Sequence, residues 1–122
     1  MSALAPVFAP APLRYRDVEL TALSFAGEVR YHDRTGALAF RITPAETERL
    51  ARVSETSGRA ALMMFLFFKI VARPGLVMTL EAIASEVGGV TERDVGRAVS
   101  RLVLGGLVRK TARGVGFEIE WV

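Results

Sequence analysis

The sequence predicts an α+β chain, with short strands first, helices through the middle and a strand pair at the end. Three observations carry this. Apolar and polar residues alternate near both ends of the chain, the spacing of half-buried strands. Between residues 44 and 104 apolar residues recur every three or four positions, the spacing of amphipathic helices. Of the 122 residues 51% are hydrophobic and 24% charged, enough to build a core and too apolar for a disordered chain.

The elements follow in order. Residues 1–13 hold Pro6, Pro10 and Pro12 and no charge, which opposes a helix; a flexible extended arm is expected. This stretch lacks the basic start and continuous apolar run of a secretory signal. Val18, Leu20 and Ala22 share one face of a strand. The stretches 25–31 and 37–42 alternate likewise and flank His32-Asp-Arg-Thr-Gly36, so a small antiparallel hairpin or meander is expected over 17–42. Thr43-Pro-Ala-Glu46 reads as a helix start, with Thr at the cap, Pro at the first helical position and Glu reaching back to the cap amide. A short helix is expected from 44 to about 53, ending in a loop at Ser54-Glu-Thr-Ser-Gly58.

A strongly apolar helix follows over 59–72, closed by Arg73-Pro-Gly75. Its run contains Lys69 and falls short of the ~20 residues that span a bilayer, so a buried helix and a soluble, cytoplasmic protein without a membrane partner are expected. Because it is apolar around nearly its whole circumference, it needs cover on more than one side. Met63, Met64, Phe65, Phe67 and Phe68 are therefore read as core or as the face of a homodimer. Thr79 caps the next helix, which places Leu80, Ile83, Ala84 and Val87 on one face and stops at Gly88-Gly89. Thr91 caps a further helix over 91–104, with Asp94 at the capping-box position and Val95, Ala98, Val99 and Leu102 as the buried stripe. Gly105-Gly106 ends it. The tail alternates Phe117, Ile119 and Trp121 against Glu118 and Glu120 and pairs with 107–111 as a hairpin around Arg113-Gly114.

Helix, glycine-containing turn, helix and hairpin with a basic tip is the order of a winged helix-turn-helix. The residues Leu80-Glu-Ala-Ile-Ala-Ser-Glu-Val-Gly88, Thr91-Glu-Arg-Asp-Val-Gly-Arg-Ala-Val-Ser-Arg-Leu102 and Gly106-Leu-Val-Arg-Lys110 resemble the DNA-binding region of MarR-type and related bacterial winged-helix repressors, and the arrangement also resembles some plasmid replication proteins. The resemblance implies a homodimeric, sequence-specific binder of double-stranded DNA. The dimer geometry and ligand pocket of MarR-type proteins are not carried over, since their terminal dimerising helices have no counterpart in the strands expected here. The expected organisation is an arm over 1–13, a sheet and short helix over 14–56 for dimerisation or packing, and the winged helix-turn-helix over 57–122.

Charge placement points the same way. Residues 91–115 contain six basic side chains, Arg93, Arg97, Arg101, Arg109, Lys110 and Arg113, and two acidic ones, Glu92 and Asp94, whereas residues 1–56 carry seven of each sign. The local excess lies where a helix over 91–104 in the major groove and a wing over 109–116 would meet phosphates. Arginine bridges a guanine edge or neutralises backbone charge. Gly96 and Ser100 are expected to let the helix approach the groove, a free helix N-terminus at Thr91 to offer backbone amides to a phosphate, and Thr79 and Glu92 to lie among the DNA-contacting residues. Plainer roles stand beside these. Arg97 and Arg101 can pair with Asp94 or Glu92 at helical spacing. Arg109 can pair across the hairpin with Glu118 if the turn has two residues. His32 is expected to be exposed and idle.

With no cysteine and one histidine, disulfides, thiol catalysis, cysteine-bearing zinc sites and multi-histidine metal sites are excluded. Carboxylates are scattered and no glycine loop lies between a strand and a helix, so no enzyme and no cofactor are expected. The open alternatives are a plasmid replication or partition protein and a winged-helix subunit that binds protein instead of DNA. The target sequence and any small-molecule effector are not legible.

Overall fold

A computed structural model describes residues 13–57 and 59–122. The expected arm, apart from Leu13, lies outside the described residues. The chain is α+β, with a four-stranded antiparallel sheet, four helices and a two-stranded sheet. It divides into two compact units, one up to Ala51 and one from Arg52 onward.

The first unit is a meander of β1 (Leu13–Tyr15), β2 (Val18–Phe25), β3 (Glu28–His32) and β4 (Leu38–Ile42), each strand antiparallel to the next. The expected alternating stretch 25–31 is cut in two. Phe25 pairs with Glu28, so Ala26 and Gly27 form a two-residue turn with φ of 52° and 82°. Both central residues have positive φ, as the tight turns that match strand twist require. The β3–β4 loop is built by Asp33, whose carboxylate accepts from the Thr35 amide at 2.8 Å, the Thr35 hydroxyl at 2.6 Å and the Ala37 amide at 3.1 Å. His32 is half-buried instead of fully exposed, because it lies within β3. Leu20, Val29, Tyr31 and Ile42 are buried, and Phe40 stacks on Tyr31 with ring centroids 4.8 Å apart.

Helix α1 (Pro44–Ser57) opens as expected: the Glu46 amide donates to Thr43 Oγ1 at 3.2 Å and the Thr43 amide donates to Glu46 Oε1 at 3.0 Å. It runs a turn beyond the expected end near 53. Nothing between 54 and 57 breaks a helix; serine and threonine only lower its propensity, and the first glycine is Gly58.

The second unit contains α2 (Arg59–Val71), α3 (Leu80–Val87), α4 (Glu92–Leu104) and the hairpin β5 (Val108–Arg113) and β6 (Gly116–Trp121). Helix α4 packs against both α2 and α3. The expected buried stripe of α4, Val95, Ala98, Val99 and Leu102, is buried together with Ile83, Leu107, Val108, Phe117 and Ile119. Met64, Phe65, Phe67 and Phe68 are buried within this one chain, and only Met63 of that cluster is exposed. These four are core, not a free dimer face. The second cover that α2 needs is supplied in part by its own hairpin: Trp121 meets Phe65 edge-on at 5.4 Å, and Lys69 Nζ lies 4.2 Å from the Trp121 ring centroid. Met78, just before α3, forms a bridge with Phe117, each amide donating to the other's carbonyl at 2.8 Å. A single-residue strand of this kind leaves no periodicity to read. Among the described residues no helix is long and apolar enough to cross a membrane.

Candidate nucleic-acid interface

Helix α4 is positioned by its cap and its buried stripe. The Asp94 amide donates to Thr91 Oγ1 and the Thr91 amide donates to Asp94 Oδ2, both at 3.1 Å. The hydrogen bond from the Thr91 amide, helped by the nearby Arg97 and Arg93 charges, holds the Asp94 carboxyl below the usual carboxylate range. The helix start is thus already capped by its own acid and flanked by exposed Glu92, so the expectation of a free terminus for phosphate is corrected. At α3 the Thr79 hydroxyl is likewise engaged, accepting from the Ala82 amide at 3.1 Å.

At 100° per residue, burying Val95, Ala98, Val99 and Leu102 turns Arg93, Arg97, Ser100 and Leu104 directly outward. All four are exposed, and no acid lies on that stripe. Arg101 and Asp94 share one flank. Gly96 lies on the other flank, half-buried, where a Cβ would meet Leu80 Cδ1 at 3.4 Å. That is an ordinary contact, so an alanine fits here; Gly96 faces α3 and lies off the outward stripe, away from where a groove would be approached. Among the described residues Arg93, Arg97, Arg101 and Arg109 are exposed and make no ion pair; the expected pairing of Arg97 or Arg101 with Asp94 or Glu92 is absent.

The hairpin differs from its expected wiring. Arg113 pairs with Gly116, so the turn is Gly114-Val115, and this register sets Arg109 opposite Glu120. Glu118 is taken by Arg113, whose Nε donates to Oε2 at 2.6 Å, while the Gly75 amide donates to Oε1 at 2.9 Å. Arg113 is thereby partly neutralised, and the hairpin is tied to the bend that follows α2. Lys110 projects to the opposite face of the hairpin from Arg109 and Arg113, its Nζ 5.2 Å from the Phe117 ring centroid. The cationic character is therefore less evenly spread than composition suggests, and its uncompensated part is the outer face of α4.

Two exposed apolar residues escaped the sequence reading. Leu104 is 82% exposed at the end of the arginine stripe, and Val115 is 99% exposed at the hairpin tip. A helical wheel locates Leu104 beside Arg97; nothing short of the turn register locates Val115. Among the described residues no group of three or more His, Asp or Glu side chains is placed to hold a metal ion. No protein-family model matches the sequence, and no match was found among curated proteins or solved structures.

Proposed function

We propose that the second unit is a winged helix-turn-helix that binds double-stranded DNA, with α4 in the major groove and the β5–β6 hairpin beside it as the wing. The observation that carries the reading is the outward stripe of α4, with Arg93 and Arg97 exposed and without an ion pair, and with the neighbouring acid Asp94 on the flank of the helix. The order α2, Met78 bridge, α3, α4, hairpin supports it, since a short strand between the first two helices that joins the hairpin suits a winged helix. The role that follows is a transcriptional regulator, or a plasmid replication or partition protein, working as a homodimer. The dimer face is the first unit's sheet, where Leu23 and Phe25 are 67% and 85% exposed, and two α4 helices then read half-sites ~34 Å apart. Selection of bound duplexes from a random pool at low ionic strength tests the reading. Salt-dependent binding with a palindromic motif is the expected result, and Arg97→Ala weakens it by ~1–3 kcal/mol. Absence of binding to any duplex at low salt refutes it.

Leu104 favours a second reading, in which the same face docks a protein. An apolar side chain that protrudes beside arginines suits a protein surface. If Leu104→Ala abolishes capture of a stoichiometric partner while Arg97→Ala does not, this reading replaces the first.

A further inference from the structure

Between α2 and the first half of α4 the second unit leaves a hollow. Its apolar part, about 130 Å³, is lined chiefly by Met63, Met64, Val87, Val90 and Val95, with Asp94 among them. Through Ala60, Val90, Asp94 and Ala98, which line both spaces, it continues into a wider cleft of about 430 Å³ that reaches Thr56, Arg97 and Arg101. The inner volume is close to the ~150 Å³ of an apolar cavity that accepts benzene, so a ring or chain of about six carbons fits it. Five of its eight lining residues are methionine or valine, and flexible methionine adapts to more than one apolar shape.

The rim has the opposite character. Arg97 and Arg101 stand one helical turn apart, exposed and without an ion pair. The carboxylate among them, Asp94, accepts from the Thr91 amide at 3.1 Å and stays charged, and the two arginines outnumber it. Guanidinium groups favour carboxylates through paired charge-assisted hydrogen bonds, and they repel a cation.

We infer that this cleft binds a small amphipathic carboxylate, its apolar end of about six carbons among Met63, Val87 and Val90 and its acid group at Arg97 and Arg101. A consequence rests on the DNA-binding reading above. The ligand occupies arginines that the phosphate backbone needs, so ligand and duplex oppose each other, each weakening the other by the same factor.

The experiment uses the full chain carrying ¹³C-labelled methionine methyl groups, titrated with hexanoate, hexylammonium or acetate. Hexanoate is expected to shift the Met63 and Met64 methyl signals and leave that of Met78 in place, while the other two probes leave all three unmoved. Ala60→Leu fills the hollow without touching an arginine and is expected to abolish the shifts; an unmoved Met78 signal reports that this variant is folded. The double substitution Arg97→Gln with Arg101→Gln is expected to weaken hexanoate about tenfold or more. Equal shifts with hexylammonium, unchanged binding in Ala60→Leu, or no shift at millimolar hexanoate overturns the proposal. In the DNA arm, hexanoate is expected to weaken duplex binding by the wild-type chain and not by Ala60→Leu. Methyl shifts in a chain that binds no duplex leave the cleft standing and remove the DNA reading; duplex binding without methyl shifts does the reverse.

Discussion

Replacing Gly116 with alanine tests whether the hairpin is held beside its turn. Gly116 is buried at the start of β6, and an added Cβ lies 2.5 Å from the Met78 carbonyl oxygen and 2.7 Å from Val77 Cγ1. The first of these is a backbone atom already accepting the Phe117 amide at 2.8 Å, so it has no rotamer into which it can escape. Reaching an ordinary contact of ~3.5 Å requires the 77–78 segment to retreat by ~1 Å. That stretches both bridge hydrogen bonds beyond useful length. Two lost bonds at ~1 kcal/mol each, with residual overpacking, give a cost of about 2–4 kcal/mol. With a urea slope of ~1.5 kcal/mol/M the midpoint falls by ~1.3–2.7 M. The single tryptophan, Trp121, lies in β6 against Phe65 and reports the transition by fluorescence. Gly114→Ala is the control. Its φ is +60° with nothing within 4 Å of the added Cβ, so only backbone strain of ~1–2 kcal/mol is expected. If Gly116→Ala costs no more than Gly114→Ala, the contact with the 77–78 segment is not what holds the hairpin.

The remaining expectations concern three other places. Glu118→Gln releases Arg113 and is expected to steepen the salt dependence of duplex binding by about one counterion, with a stability change under ~1 kcal/mol because the pair is partly exposed. Gly105→Ala drives a Cβ into buried Val53 Cγ2, and thermal unfolding should show a loss of ~1–3 kcal/mol that Val53→Ala partly relieves in a double-mutant cycle. Asp94, Asp33 and Glu28 all have depressed carboxyl pKa values, from hydrogen bonds by Thr91, Thr35 and Arg30 respectively. A depressed folded-state pKa stabilises the protein above the unfolded value near ~4, and that share is lost as pH falls through the folded value. Acid titration followed by circular dichroism should therefore show stability declining below about pH 4, and Asp94→Asn should flatten the part that belongs to α4.

What could be read from the sequence is the chemistry that acts within one turn of chain. The caps at Thr43, Thr79 and Thr91 and the buried stripe of α4 depend on neighbours three or four residues away, and each is where the spacing predicts it. The Ala26-Gly27 turn stayed hidden because alanine gives no sign of its positive φ. Gly96 was read towards a groove because its flank depends on α3, a partner that periodicity does not name. Arg113 takes Glu118 because the turn occupies Gly114-Val115, and a shift of the turn exchanges every cross-strand partner. The burial of Met64, Phe65, Phe67 and Phe68 follows from tertiary packing, which an all-apolar helix leaves unspecified.

The bridge at Met78 also decides how the hairpin bears load. A ribbon of two strands alone is marginally stable in water. This one is clamped at Gly116-Phe117 by the 77–78 segment and braced on its outer side where Glu118 holds Gly75, while Gly114 and Val115 project beyond both supports. It is a beam propped close to its tip as well as at its far end, where Trp121 meets Phe65, so the ribbon keeps its angle to the helices and only the two turn residues are left to conform to an uneven surface.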